Sequence, residues 1–333
     1  MKQEVLVLRE AEIRSLLDPA ACIEAVEASF SAYATGQAEL PNVINLEVPE
    51  HRGEIHIKAG HLRGGPYYAV KIASGFPGNL ALDLPANDGM VLVFDVKTGA
   101  PAAFLLDNGF VTDLRTAAAG AVVAKHLARK HINTLAVVGS GVQARYQVRL
   151  LNLVRSFREV RIWGRNRSKA EECVRDLLTS NIPGNPGLHV ANTVEQAVNK
   201  ADVVITVTAS RAPLLNAEWL SPGTLVIAVG SDGPDKQELN VGVLARADRI
   251  VADSLPQCLR LGEIHHAVEQ AAISKEKIST ELGEITAGLK PGRTSDTELI
   301  VCDLTGVGVQ DVAAASLVMR RALTAGIGER LVL

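Results

Sequence analysis

Cysteine is scarce in this chain and scattered: Cys22, Cys173, Cys258 and Cys302 stand apart with no CxxC spacing. That argues against a disulfide framework or a thiolate zinc site and fits buried free thiols in a reducing compartment. Long apolar runs are missing too. None reaches the roughly 18–20 residues that a membrane helix needs. Met1-Lys2-Gln3-Glu4 carries charge rather than the apolar core of a signal peptide, so the expected location is cytoplasmic. Neither sign of charge dominates: 34 Lys and Arg against 37 Asp and Glu leave a formal net charge of −3. Nothing in that balance favours nucleic acid or an anionic membrane as partner. Repeats and low-complexity stretches are also absent. What remains is ordinary globular material, 333 residues with 47% hydrophobic and 21% charged, enough for about two domains with ample core.

The first pattern with chemical content lies at 134–145. An apolar strand runs into Gly139-x-Gly141-x-x-Ala144, and a helix-forming segment follows. In a dinucleotide-binding turn the first glycine allows the tight bend, the second lets backbone approach a pyrophosphate, and the third small residue lets helix pack on strand. The helix N-terminus offers free N–H groups to the phosphates. Strand before and helix after supply the context such a motif requires. Bound NAD(P), and with it redox chemistry, is the first expectation.

The surrounding sequence divides by periodicity. Residues 4–8 suggest a strand, and Asp18-Pro19 caps a helix carrying Ile23, Val26, Phe30 and Tyr33, with Gly36 near its stop. Ile44–Val48, Glu54–Lys58, Tyr68–Ala73, Gly89–Asp95 and Ala102–Leu106 read as strands between turns, with a hairpin turn at 95–99. This first third is expected to be α+β with an antiparallel sheet. A small-residue helix follows over Thr116–Ala128. Strands are then expected at 134–138, 159–163, 202–207, 224–229, 248–252 and 298–303, and helices at 142–155, 167–178, 193–199, 240–246 and 257–269. Such alternation means a doubly wound parallel sheet, an α/β Rossmann domain. The last helix, 309–325, returns to the first domain. The expected division is 1–115 plus 309–333 for one domain and 116–308 for the other.

The second strand of the nucleotide fold ends in Gly164-Arg165-Asn166-Arg167-Ser168. An NAD site would place a carboxylate there for the ribose 2′-OH. Two arginines, an asparagine and a serine suit a 2′-phosphate instead, which favours NADP(H). The alternative is that the arginines are solvated helix-start residues and Asn166 or Ser168 is the next N-cap.

Several segments now coincide with one family. Thr112-Asp-Leu-Arg-Thr-Ala-Ala-Ala-Gly120, the 139–144 turn, Gly230-Ser-Asp-Gly-Pro-Asp-Lys-Gln-Glu-Leu239 and Asp303-Leu-Thr-Gly-Val-Gly-Val-Gln-Asp311 resemble the ornithine cyclodeaminase/μ-crystallin family across nearly the whole chain. Leu105-Leu-Asp-Asn-Gly109 and Leu261-Gly-Glu-Ile-His-His266 look most like its ectoine-utilisation branch. The resemblance implies a homodimer whose substrate and dimerisation domain carries an inserted Rossmann domain. It implies amino-acid metabolism at a C–N bond next to a carboxylate, as in cyclodeaminases, alanine dehydrogenases and ketimine reductases.

The same resemblance assigns roles. Lys71 would hold the substrate carboxylate and face the reacting carbon, Arg115 would complete the clamp, and Asp232 would bind the amine or iminium and shuttle its proton. Thr116, Gly139, Gly141, Val142, Gln143, Ala144, Arg165, Asn166, Arg167, Ser231 and Gly306 would contact the cofactor, with Thr305-Gly306 and Gly308 near the nicotinamide. The residues themselves support parts of this. A lysine in an apolar strand is costly unless it has a task, a guanidinium suits bidentate carboxylate binding, and Asp232 follows a strand at the edge where parallel sheets bind ligands. Plainer alternatives are a snorkelling Lys71 on an edge strand, an Arg115 that caps its helix or pairs with Asp113, and an Asp232 that only makes a turn. Glu238 matches the family and is also explicable as the partner of a basic residue. Adjacent His265 and His266 point apart on a helix, so no metal is expected. One departure stands out: where the family usually has an arginine near Pro41, this chain has Ile44 or Asn45, leaving Asn45 as the substrate-contact candidate and Arg52 or Arg63 as unaligned substitutes.

The function expected is NAD(P)H-dependent reduction of a 2-imino acid of the pyrroline-2-carboxylate or ketimine type. The alternatives are a cyclodeaminase that releases ammonia while its bound NAD is recycled, and a non-catalytic NADPH-binding protein.

Overall fold

Two periodicities in the sequence produce two sheets. The computed structural model describes residues 4–278 and 280–332, and the chain forms two units, Met1–Arg115 with Val307–Leu333, and Thr116–Gly306. The first unit opens with β1 (Glu4–Arg9), α1 (Glu10–Leu16), α2 (Pro19–Ala34), β2 (Ala38–Glu39), β3 (Ile44–Val48), β4 (Gly53–Leu62), β5 (Tyr67–Gly75), β6 (Asn87–Asp95) and β7 (Pro101–Leu106). After α3 (Phe110–Leu127) come β8 (Thr134–Val138), α4 (Val142–Val154), β9 (Glu159–Trp163), α5 (Arg167–Leu178), β10 (Gly187–Val190), α6 (Val194–Val198), β11 (Val203–Thr206) and β12 (Leu225–Ala228). The second unit ends with α7 (Val241–Arg246), β13 (Arg249–Ala252), α8 (Leu255–Cys258), α9 (Gly262–Glu269), β14 (Thr280–Glu281), α10 (Leu282–Thr286) and β15 (Ile300–Asp303). The chain closes with α11 (Gly308–Ala325) and β16 (Glu329–Val332).

In the first unit the strands run β16-β1-β7-β6-β5-β4-β2, with β3 also on β4. The sheet is mixed rather than purely antiparallel, because β1 runs parallel to β7 and β16 pairs antiparallel with β1. Both pairings join distant segments, which local alternation does not report. Asp18 caps α2, its carboxylate accepting the Ala21 N–H at 2.9 Å. The Asp95 carboxylate shapes the β6–β7 turn by accepting the N–H groups of Lys97 and Thr98 at 3.0 and 2.9 Å. One face of the sheet is the core: Ala69, Val91, Val93, Ala103 and Leu105 are buried there. α11 packs across β4 and β5 on this unit, and Gly308 lies so close to the Ala59 carbonyl that a Cβ would collide with it.

In the second unit the order is β10-β9-β8-β11-β12-β15-β13-β14, every pair parallel. β8, β11, β12 and β15 are buried along their whole length, as strands covered on both faces are. The order reverses between β8 and β11, and in such sheets ligands bind beyond the carboxyl ends at that reversal.

Two helices differ from expectation. α3 begins at Phe110 rather than Thr116, because Asp107 accepts the Val111 N–H at 2.7 Å and starts the helix early. The helix expected over 257–269 is two helices, α8 and α9. Gly262 at the break has φ +80°, and a Cβ there would lie 2.7 Å from Asp303 Oδ2. Breaking the helix lets that carboxylate accept the Ile264 N–H at 2.8 Å. Among the described residues no helix is long and apolar enough to cross a membrane.

Candidate active site

β8 ends at Gly139, whose φ is +134° and whose Cβ would lie 2.7 Å from the Val207 carbonyl oxygen, so only glycine fits. Gly141 opens α4 with an ordinary φ of −80°, and a Cβ there would meet nothing within 4 Å. No side chain caps α4, so its first N–H groups keep their capacity for an anion. Ala144 is fully buried, while Val142 is exposed and Gln143 half-buried. An open space bordered by uncapped N–H groups fits a dinucleotide pyrophosphate.

Beyond β9 the predicted ribose contacts separate. Asn166 is the N-cap of α5, accepting the Lys169 N–H at 3.2 Å. Arg167 binds Glu171 at 3.0 Å and also Asn192. Arg165 is exposed and takes no hydrogen bond or ion pair from the described residues. Thr116, half-buried in α3, accepts from Gln147 Nε2 at 3.3 Å through its carbonyl.

Behind these loops lies a network of buried carboxyls. Among the described residues Glu238 has no basic partner, the alternative considered for it; it accepts the Gly230 N–H at 2.9 Å and the Thr208 N–H, tying together the segments after β11 and β12. Burial pushes its carboxyl up to about 7. Glu263 accepts the Glu238 and Leu239 N–H groups at 2.7 and 3.0 Å, and burial, then the Asp303 charge, raises it well above the usual carboxylate range. Asp253 accepts the Gly306 N–H at 2.7 Å and the Thr305 hydroxyl at 2.9 Å, and Gln257 donates to the Gly306 carbonyl at 3.0 Å. Gly306 is thereby held in a left-handed turn of φ +77°. Sequence reasoning gave Asp253, Gln257, Glu263 and Asp303 no role. The available signal was an acid closing an apolar strand, as Asp253 follows β13 and Asp303 ends β15, since a carboxylate is rarely buried without partners.

Ser231 is buried, and its hydroxyl donates to the Lys236 carbonyl. Asp232 next to it is partly exposed, and Lys236 Nζ lies 2.8 Å from its Oδ1. His266 Nε2 meets the Lys236 carbonyl at 2.9 Å, and His265 Nδ1 meets that of Gly262 at 3.2 Å, so both rings serve the main chain.

On the first unit, Lys71 is 2% exposed in β5, an interior strand between β4 and β6. A snorkelling lysine on an edge strand is therefore excluded. Arg115 is buried within α3 and caps nothing. It bonds not to Asp113 but to α11, with Nε donating to Asp311 Oδ1 at 2.9 Å and Nη1 to Gln310 Oε1 at 2.6 Å. Gln310 Nε2 and Asp311 Oδ2 are buried with no hydrogen-bond partner among the described residues. Two bonds fix the direction of the guanidinium. Asn45 is exposed on β3, its Oδ1 2.8 Å from His56 Nδ1.

Comparison with known proteins places this geometry. The sequence pattern of the ornithine cyclodeaminase/mu-crystallin family matches residues 2–326. An archaeal alanine dehydrogenase, solved as a dimer with bound NAD, is 36% identical over 99% of each chain with a TM-score of 0.91. The Thermococcus litoralis Δ1-pyrroline-2-carboxylate reductase, solved with NADH and L-proline, is 30% identical over 98% of this chain and 99% of its own, TM-score 0.92. The iminosuccinate reductase of Paracoccus denitrificans, solved with NAD+, is 31% identical over 99% of this chain and 100% of its own, TM-score 0.88. Glycine turn, parallel sheet and full-length match agree, and the chain belongs to the ornithine cyclodeaminase/mu-crystallin family.

Proposed function

We propose that this protein is an NAD(P)-dependent oxidoreductase that reduces the C=N bond of a small 2-imino acid, working as a homodimer. The observation that carries this reading is the full-length match to imino-acid reductases in a chain that buries two cations, Lys71 and Arg115, on one unit, both of a kind that binds carboxylates. The relative solved with NADH and L-proline supports it, because proline is the product of reducing a cyclic 2-imino acid. Lys71 and Arg115 hold the carboxylate, and Asp232 holds the protonated nitrogen, its orientation fixed by Lys236. Fixing the substrate lowers the entropic part of the barrier, and a carboxylate at the nitrogen stabilises the iminium charge.

Gly139, Gly141, Val142, Gln143 and Ala144 would hold the cofactor's phosphates, Arg165, Asn166 and Arg167 its ribose end, and Thr116, Ser231 and Gly306 the rest. The bound cofactor supplies the reducing equivalent. We favour NADP(H), on the exposed Arg165 and the lack of a carboxylate after β9. The homodimer is supported by an apolar outer face on the first unit's sheet, where Ile44 and Leu46 are exposed.

The test is oxidation of NADPH or NADH in the presence of pyrroline-2-carboxylate, piperideine-2-carboxylate, or a 2-oxo acid with an amine. Turnover is expected with at least one of them, and Asp232→Ala should lower kcat by about 100-fold or more. Unchanged turnover would remove Asp232 from the chemistry. Ammonia release from ornithine without net change in NAD(P)H would make the protein a cyclodeaminase instead.

A further inference from the structure

Arg145 lies in the first turn of α4. A cation there sits against the positive end of the helix dipole, an unfavourable place for a residue that only faces water. This side chain is 17% exposed. It folds back over the glycine turn, where its Nη1 donates to the Ser140 carbonyl at 2.9 Å and to the Gly141 carbonyl at 3.1 Å. Its Nε donates to Asp176 Oδ2 on α5 at 2.7 Å, and a Glu172 carboxylate oxygen lies 3.9 Å from Nη2. A bridge that only tied α4 to α5 would need the carboxylates and not the carbonyls.

The two carbonyls fix the peptide units they belong to. A trans peptide is planar, with its C=O and N–H directed oppositely, and no peptide bond among the described residues is cis. Holding the Ser140 and Gly141 carbonyls on one guanidinium nitrogen therefore turns the N–H groups of Gly141 and Val142 away from it. These two matter more because the Gly139 N–H is already taken by the Trp163 carbonyl at 2.8 Å. A Cβ built on Gly141 would meet nothing within 4 Å, so space beside the turn is open.

We infer that Arg145 is a positioning residue of the dinucleotide site: with its guanidinium aimed by Asp176, it holds the turn so that the Gly141 and Val142 N–H groups face the pyrophosphate. This rests on the reading of 139–144 as the cofactor's phosphate turn and adds a residue outside that motif. The turn is set before the cofactor arrives, so less affinity is lost in ordering it.

The experiment titrates the whole protein with NADPH and NADH by nicotinamide fluorescence, and with adenosine by calorimetry. Arg145→Met keeps an apolar stem and removes the donors. It should weaken the dinucleotide that the wild type binds by about 30-fold, a size that fits charge-assisted contacts. Adenosine, which has no phosphate, should stay within about twofold of wild type. Asp176→Ala leaves the arginine in place without its guide and should weaken the dinucleotide about fivefold. Were Arg145 to act through charge alone, removing that carboxylate would strengthen binding of an anion instead. A merely structural Arg145 would lower the unfolding temperature of the methionine variant and leave dinucleotide affinity alone, which overturns the inference. Equal losses for adenosine and dinucleotide also overturn it. If Arg145→Met does not fold, Asp176→Ala decides: weaker binding supports the inference, and unchanged or tighter binding overturns it. A wild type that binds neither dinucleotide ends both this inference and the reading of the turn. One that binds a dinucleotide but reduces no imino acid ends the reductase reading alone, and the binding titrations still decide this one.

Discussion

Asp107 stands just past the end of β7, buried, with one oxygen accepting the Val111 N–H and the other, Oδ1, without a hydrogen-bond partner among the described residues. Desolvation pushes its carboxyl up to about 7, against the pull of its main-chain hydrogen bonds and with help from the Asp311 charge. The folded state therefore binds this proton more tightly than the unfolded chain, where a carboxyl titrates near about 4. The stability contributed by the protonated group is complete below about pH 4 and is lost as pH rises through about 7. Asp107→Asn keeps an acceptor for Val111 and stays neutral. At pH 8 the variant should be more stable than the wild type by about 1–4 kcal/mol, and at pH 4 the two should agree within about 0.5 kcal/mol. Denaturant unfolding at both pH values checks this, and a difference that does not change with pH would show that burial of the charge is not its cause. At this scale the sequence spoke unevenly. Lys71 could be picked out as a charge within an apolar strand, and Arg115 through the family resemblance of its segment. Gln310 and Asp311 could not be given a role, because what they do is aim a guanidinium whose own residue is 195 and 196 positions away.

Elements were legible where their information is local. The β8–turn–α4 unit matched expectation because every determinant lies within a dozen residues, and Asp18-Pro19 identified the start of α2 for the same reason. α1 went unread: seven residues with only Ile13 and Leu16 buried give too short a period. β10, β14 and β16 are strands of four, two and four residues, and their place in a sheet comes from distant partners. The two glycines of the turn separate fold from function experimentally. Gly139→Ala puts a Cβ against the Val207 carbonyl at positive φ and should destabilise the protein by about 2 kcal/mol or more. Gly141→Ala meets open space at an allowed φ and should change stability by less than about 0.5 kcal/mol. Its methyl group would instead stand where the pyrophosphate needs backbone, so NADPH affinity should fall about 100-fold. Thermal unfolding and nicotinamide fluorescence titration of the two variants read these effects separately. A Gly141→Ala protein that binds NADPH as tightly as wild type would take the phosphates away from this turn.

At the scale of the whole molecule, the alternation that buries Lys58 and Lys71 on one face of the first sheet places an apolar row on the other. Ile44, Ile57, Ile72 and Met90 are successive partners across β3, β4, β5 and β6. Ile44 is 54%, neighbouring Leu46 49% and Met90 38% exposed. A sheet that faced water on this side would alternate apolar with polar residues, and contiguous exposed apolar patches of this kind mark interaction surfaces. A second copy of the same sheet is an occupant that suits it, because a two-fold axis brings each residue near its own equivalent and an all-apolar row is complementary to itself. Like charges placed in that row would face each other across the axis. The wild type should therefore sediment as a dimer at micromolar concentration. Ile44→Glu combined with Met90→Glu should weaken association by about 100-fold or more, since burying one carboxylate without a partner already costs several kcal/mol. The far-ultraviolet circular dichroism of the variant should match that of the wild type, because both side chains point away from the core face. A wild type that sediments as a monomer, or a variant dimer of unchanged affinity, would mean that this face serves some other contact.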